Sequence, residues 1–149
     1  MNLGHIASLI VQNPPGNAAY NVAKAAIKAM TEHLSWELRQ DKDCKVTAHM
    51  LVPGWTYTGL TGATPNGNKP DGAWTPEQVI EFMLDGIDKK QFYLICPDNA
   101  VTREVDNARM LWNVDDIVKN RPALSRWSEE HKDEFEAFVQ QKLKEWGKI

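Results

Sequence analysis

The sequence predicts an α/β fold in which three parallel strands alternate with helices and are followed by a helical extension. Three observations lead to this prediction. Short runs with strand propensity lie at residues 4–11, 45–52 and 91–96, and longer stretches with helical periodicity separate them. The residues after 98 are charged and favour helices. Strands that are joined through helices pair in parallel, because such connections are long enough to cross the sheet.

The first strand and helix are predicted from an apolar run and the periodic stretch after it. Residues 4–11, GHIASLIV, end at the turn cluster NPPGN, as expected for a buried strand followed by a loop. From Ala18 to about Gln40, apolar residues recur every three or four positions, which predicts an amphipathic helix. A second apolar set lies on another side of this helix: Val22, Ala25, Ala29 and Trp36. Burial in the core and contact with a second subunit explain this second set equally well.

The next elements follow from turn and cap signals. Residues 45–52 favour a strand that is closed by Pro53-Gly54, and a loop rich in glycine, asparagine and proline spans 59–74. Thr75 and Pro76 suit the N-cap and the first position of a helix that runs to about Lys89. The third strand, 91–96, stops before a proline.

The remaining residues predict a helical extension. Residues 101–119 and 129–147 form two helical stretches joined by Asn120-Arg121-Pro122. Five aromatic side chains are expected to pack these helices onto the rest of the chain: Trp112, Trp127, Phe135, Phe138 and Trp146. We therefore divide the chain into an α/β part at 1–98 and an extension at 99–149 that packs on the same domain.

Composition excludes several classes of protein. The 149 residues suit one domain, with 42% hydrophobic and 25% charged residues and no apolar run of the ~18 residues that a membrane helix needs. The net charge of −3, without a basic stripe, argues against nucleic acid. The two cysteines and four histidines lack metal-ligand spacing. The N-terminus lacks the pattern of a secretory signal, so we expect a soluble cytoplasmic protein without membrane partners or a metal.

Tyr20 and Lys24 are the strongest candidates for chemistry. Their spacing of four residues places both on one helical face, with Cβ atoms about 5–6 Å apart. An ammonium close to a phenol favours the phenolate, which can then exchange a proton with a hydroxyl or carbonyl oxygen. Tyr-x-x-x-Lys also occurs by chance on many helices, so the spacing alone does not separate a proton-transfer device from an ordinary helix surface.

The order of elements around this pair resembles the short-chain dehydrogenase/reductase family. The matching pieces are YNVAK at 20–24, on the helix that follows a strand and a loop, and PGWTYT at 53–58, directly after the next strand. The likeness continues through the strand at 91–96, and residues 99–149 look like a family-specific helical C-terminal extension. The resemblance implies a partial Rossmann-like fold and an NAD(P)-dependent oxidoreductase that interconverts small-molecule alcohols and carbonyls.

The resemblance also implies roles for individual residues. Tyr20 would be the catalytic acid and base, and Lys24 would stabilise its phenolate and bind the ribose hydroxyls of the nicotinamide nucleotide. Four residues would border the nicotinamide carboxamide: Pro53, Gly54, Thr56 and Thr58. Of these, Thr56 would contribute backbone contacts and Thr58 its hydroxyl. The loop at 59–74 resembles the substrate lid of the family, whose aromatics either line the pocket or anchor the loop. Because the corresponding helix of the family also packs across subunit interfaces, the resemblance implies a homo-oligomer that associates through the 18–40 helix.

The sequence departs from the family pattern in two places. The position of the family's substrate-binding serine is occupied by Ala7, with Ser8 one place away. Ser8 is either the catalytic serine, if the loop is one residue shorter, or a plain strand residue. The Gly-rich T-G-x-x-x-G-x-G turn that binds the cofactor pyrophosphate is absent from the 149 residues.

We therefore expect the chain to correspond to the C-terminal half of such an enzyme, truncated at its N-terminus. The alternative is a catalytically inactive remnant of the family that acts only through subunit association. The family residues that distinguish NAD from NADP belong to the absent half, so the cofactor preference stays open.

Overall fold

The computed structural model describes residues 15–16, 18–64 and 66–149. It is a mostly helical α/β structure with a two-stranded parallel sheet. The helices are α1 (Ala18–Leu38), α2 (Pro76–Asp88), α3 (Arg103–Val118) and α4 (Lys132–Glu145), and the strands are β1 (Met50–Val52) and β2 (Tyr93–Ile95). Within the described ranges, no helix has the length and apolar character required to span a bilayer.

The sheet differs from the predicted one. β1 and β2 pair in parallel, with Met50 opposite Tyr93 and Val52 opposite Ile95, and α2 lies in the connection between them. The described residues form two strands, so the prediction of a three-stranded sheet is wrong for this part of the chain. The strand predicted at 4–11 lies outside the described residues.

Both strands are also shorter than predicted, and the end of α2 explains why. The chain turns at Lys90, where φ is 56°, so β2 begins only after this turn. Met50 N–H donates to Phe92 O at 2.7 Å, which marks the start of backbone pairing. Residues 45–49 have no β2 residue opposite them. Just before the paired residues, a side chain joins the two segments, since a His49 ring nitrogen lies 2.6 Å from Gln91 O.

The helices confirm the sequence predictions within about three residues at each end. Thr75 caps α2 as expected: its side chain accepts from Gln78 N–H at 3.3 Å, and Pro76 takes the first helical position. Thr102 caps α3 in the same way, accepting from Val105 N–H at 3.4 Å. The helix begins at these positions because the threonine hydroxyl satisfies a backbone donor that has no partner within the helix.

Among the described residues, the core contains two packed clusters. Met50, Val52 and Ile95 form the sheet cluster, and Met110 of α3 packs against it. A helical cluster joins α3 to α4 through three buried residues: Ala108, Val139 and Leu143. The contact of Met110 attaches the C-terminal helices to the sheet.

Candidate active site

The direction of α1 relative to the sheet decides where the Tyr20–Lys24 pair lies. Ser35 and Leu38, near the end of α1, line a cavity of about 610 Å³ together with residues that precede the strands, among them Phe92. One turn earlier, Glu32 accepts a hydrogen bond from the Tyr93 hydroxyl at 2.5 Å, at the first residue of β2. α1 therefore runs antiparallel to the strands: its C-terminal end lies at the amino ends of the strands, and its earlier residues lie toward their carboxyl ends.

The preceding turn of α1, toward its N-terminus, lies closer to the carboxyl end of β2. Lys28 lines a cavity of about 230 Å³ with Ile95, the last residue of β2. At a rise of about 1.5 Å per residue, Lys24 and Tyr20 lie about 6 Å and about 12 Å further along the helix axis. The helix thus carries this pair toward the carboxyl edge of the sheet. Open α/β sheets bind their ligands outside that edge.

Tyr20 and Lys24 contact each other as the spacing predicts. Both are half-buried, and Lys24 Nζ lies 5.4 Å from the centroid of the Tyr20 ring. This distance is within the range of a cation–π contact. A comparable pair on α4 places Lys142 Nζ 5.7 Å from the Phe138 ring, where the aromatic residue has no hydroxyl. The contact is therefore compatible with proton transfer but does not by itself identify it.

The Pro53-Gly54 turn follows β1 and packs against the chain that follows β2. A Cβ on Gly54 would lie 3.1 Å from Cys96 O, from Pro97 C and from Asp98 Cβ. That separation is tighter than ordinary van der Waals contact, so the close approach of the 96–98 segment favours glycine here. Packing alone thus accounts for this residue of the motif, whether or not a cofactor binds beside it.

Thr56 and Thr58 have local partners. Thr56 is buried, and its hydroxyl donates to Gly54 O at 3.2 Å. Its backbone oxygen accepts from the Thr61 hydroxyl at 2.5 Å. Thr58 is half-buried, and its hydroxyl lies 3.4 Å from Thr61 Oγ1, beyond a strong hydrogen bond. Of the two hydroxyls, that of Thr58 is the better placed to bind another group.

Asp98 is a residue of this edge that the sequence reasoning missed. Its Oδ2 accepts from Trp55 N–H at 3.0 Å, while its Oδ1 accepts from Ala100 N–H at 2.9 Å and Val101 N–H at 2.7 Å. One carboxylate thereby fixes the segment after β1 to the segment after β2. The Pro-Asp pair that stops the third predicted strand was the available signal, since aspartate commonly binds backbone amides in turns.

The aromatics around the 59–74 loop mainly anchor it. The Trp74 indole donates to Asn99 Oδ1 at 3.0 Å, and its ring packs edge-on against Phe82 with centroids 5.9 Å apart. The Trp55 ring lies against Gly72. Leu60, by contrast, is 80% exposed at the tip of the loop. Among the two interpretations of the loop, these contacts favour anchoring for the tryptophans and leave Leu60 accessible.

Burial changes the acid–base behaviour of one neighbour of this edge. Cys96 is 1% exposed, and removal from water raises the pKa of its thiol from 9.0 to about 11. It is therefore protonated near neutral pH and is a poor nucleophile. Within the described part of the chain, no three His, Cys, Asp or Glu side chains are grouped so that they could hold a metal ion.

The predicted site residues thus form two local groups. Tyr20 and Lys24 meet on α1, and Pro53, Gly54 and their threonine neighbours lie together after β1. Ser8 lies outside the described residues. A search of protein-family models, of curated proteins and of solved structures gave no match to this chain.

Proposed function

We propose that the chain is the C-terminal part of an NAD(P)-dependent oxidoreductase of the short-chain dehydrogenase/reductase type. The observation that carries the proposal is the combination of the two motifs with the direction of α1. The helix points its YNVAK segment toward the edge of the sheet at which PGWTYT begins. Neither motif alone would support this function.

The proposed chemistry assigns the proton to Tyr20. When bound, the nicotinamide supplies a hydride to the carbonyl carbon in reduction and accepts one from the carbinol carbon in oxidation. The Tyr20 hydroxyl donates its proton to the carbonyl oxygen in reduction, and its phenolate takes the hydroxyl proton in oxidation. Lys24 is assigned the stabilisation of this phenolate by its positive charge, and its Nζ lies 5.4 Å from the centroid of the Tyr20 ring.

The residues present fit one end of the cofactor. The half-buried ammonium of Lys24 can donate to ribose hydroxyls, and the Thr58 hydroxyl, held only loosely by Thr61, can donate to a carboxamide. The pyrophosphate would need the Gly-rich turn, which these 149 residues do not contain. We therefore assign to this chain only the nicotinamide-riboside end of the site.

A fluorescence titration with NADH and NADPH tests this assignment. We expect the wild-type chain to bind at least one of them weakly and Lys24→Met to weaken binding about tenfold, as for the loss of charged hydrogen bonds to the ribose. Lys142→Met is the matched control, because it removes the same kind of lysine–aromatic contact on α4. Absence of binding by the wild type, or equal losses in both variants, would contradict the assignment.

The exposed surface of α1 favours a second candidate function, in which the chain is non-catalytic and acts through association with a second copy. On α1, Val22, Met30 and Trp36 are 68%, 69% and 57% exposed, and Ser35 is the only described residue of the helix that is buried. Contiguous apolar surface of this kind commonly marks an interface.

Sedimentation velocity tests the second candidate. We expect the wild-type chain to dimerise and Met30→Glu to shift it toward monomer, because the charge would be buried without a partner. Val114→Glu on α3 is the control, since Val114 is also an exposed apolar helix residue, at 54%. A wild-type monomer at high concentration would rule out association through α1.

A further inference from the structure

We infer that Glu32 and Tyr93 are positioning residues, which fix α1 along the sheet and thereby set the place of the Tyr20–Lys24 pair. The catalytic importance of the position of this pair rests on the proposed function. Its structural basis is a polar link between the middle of α1 and the start of β2. Nothing in the local sequence pattern connects these two residues, which are 61 positions apart.

The link is a three-membered chain of side chains. The Tyr93 hydroxyl donates to Glu32 Oε1 at 2.5 Å, and Lys28 Nζ donates to the same oxygen at 2.6 Å. Lys28 and Glu32 are one turn apart on α1, so the helix orients the carboxylate by its own lysine. Since the phenol is carried by β2, the hydrogen bond attaches this turn of α1 to the start of the strand.

Apolar packing contributes little to fixing α1. Within the described residues of the helix, only Ser35 is buried, whereas its large apolar side chains are mostly exposed. α2 is different, because Val79 and Gly86 are buried and Gly86 lies directly against Leu94 of β2. A single directed polar link is therefore more important for the position of α1 than it would be for α2.

The link depends on pH through both partners. Hydrogen bonds from Lys28 and then Tyr93 lower the pKa of Glu32 below 4.5, and the positive field of His33 acts in the same direction. The hydrogen bond to Glu32 raises the pKa of Tyr93 above 10.0. Arg103 of α3 is a further charged group beside the link, since it lines the same cavity as Lys28 and Tyr93.

The signs of these shifts define the range in which the link is stable. A carboxylate whose pKa is lowered by folding contributes stability above about pH 4.5, and this contribution is lost as the pH falls through the folded pKa. A phenol whose pKa is raised contributes below about pH 10, and this contribution is lost as the pH rises through the folded pKa. We therefore expect α1 to be held most firmly between these limits and less firmly beyond them.

Hydrogen exchange of the backbone amides of the full chain tests the link directly. We expect Glu32→Ala to speed exchange across α1 about tenfold without changing α2, as for a lost hydrogen bond to a charged group. Glu32→Gln keeps a neutral acceptor for Tyr93, as protonated Glu32 does, and should therefore restore part of the protection. We expect α1 protection of the wild type to fall below about pH 4.5 to the level of Glu32→Gln, and that of Glu32→Gln to stay the same over this range.

The control is Asp85→Ala, which removes an ion pair of the same i,i+4 type on α2, with Lys89 Nζ 2.7 Å from Asp85 Oδ2. It should leave α1 exchange unchanged. The inference would be overturned if α1 of Glu32→Ala exchanged as slowly as α1 of the wild type. It would also be overturned if an acid-induced loss of α1 protection persisted in Glu32→Gln.

A turnover assay with NAD(P)H and a panel of carbonyl substrates separates this inference from the proposed function. We expect Glu32→Ala to lower kcat with little change in KM, because it misplaces Tyr20 without touching substrate, and Glu32→Gln to restore part of kcat. If the wild type shows no turnover, the proposed catalysis by this chain fails, and the exchange measurements alone then decide whether Glu32 fixes α1.

Discussion

The first helix and the two last helices of this chain are held in opposite ways. α1 is 21 residues long and buries one described residue, Ser35. α3 and α4 bury six residues between them: Asp106, Ala108, Trp112, Asp116, Val139 and Leu143. The C-terminal helices thus complete their own core, whereas α1 keeps most of its apolar surface available. The segment with the candidate chemistry is therefore the segment with the least apolar burial of the helices compared here.

A buried polar network strengthens this contrast. The Trp112 indole donates to Ser125 Oγ at 2.8 Å, and Ser125 Oγ donates to Asp116 Oδ1 at 2.5 Å. Arg121 donates to the same carboxylate oxygen at 3.1 Å and stacks 3.5 Å from the Trp112 ring centroid. A buried network of this kind favours one arrangement of the helices, and removal of Asp116 leaves Arg121 and Ser125 without their shared partner.

The largest expected effect on the free energy of unfolding comes from replacing the central aromatic residue of the extension. Trp112 is 1% exposed and packs edge-on against Phe135 and Phe138. Trp112→Ala should lower the free energy of unfolding by about 3–5 kcal/mol, measured by urea denaturation. Trp36→Ala on α1, where the side chain is 57% exposed, should change it by less than about 0.5 kcal/mol. Similar losses in the two variants would remove the contrast between the regions.

A matched pair of aspartates tests the network itself. The Asp116 side chain is 6% exposed, whereas the neighbouring Asp115 forms a more exposed ion pair with Lys119. Asp116→Ala should cost about 3 kcal/mol, because Arg121 and Ser125 lose their shared partner inside the fold. Asp115→Ala should cost less than about 1 kcal/mol. Equal costs would mean that the buried network does not stabilise the extension.

The two cysteines provide a smaller test, which extends the contrast to the sheet. Cys96 is buried after β2, and Cys44 is half-buried after the end of α1. A thiol reagent at pH 8 should modify Cys44 readily and Cys96 only upon unfolding. Rapid modification of Cys96 in the native chain would contradict its burial.

The same thiol predicts a loss of stability at alkaline pH. Because folding raises the pKa of Cys96 from 9.0 to about 11, the unfolded chain loses this proton first. Stability should therefore fall as the pH rises from about 9 to about 11, by at most about 2–3 kcal/mol. Comparison with Cys96→Ala by urea denaturation isolates this contribution, which should be absent from the variant.

The sequence predicted the helices better than the sheet, for reasons visible at individual residues. Helical period and the Thr75-Pro76 cap are local signals, and the structure confirms them. The length of β1 depends on where its partner begins, which is set by the turn at Lys90 on a distant part of the chain. A strand-like pattern at 45–49 contains no information about that partner.

The candidate site shows the same division. The contact of Tyr20 with Lys24 follows from a spacing of four residues and was predictable. The hydrogen bond of Trp55 N–H to Asp98 joins residues 43 positions apart. The hydrogen bond of Tyr93 to Glu32 joins residues 61 positions apart. Such links depend on the tertiary arrangement of β1, β2 and α1, so sequence periodicity could not reveal them.

The most direct test of the proposed proton transfer is the cofactor-dependent reduction rate of Tyr20→Phe. This variant keeps the ring beside Lys24 and removes only the hydroxyl. If Tyr20 donates the proton, kcat should fall by about 10²-fold or more while the unfolding midpoint stays unchanged. Wild-type turnover in Tyr20→Phe would contradict the central claim.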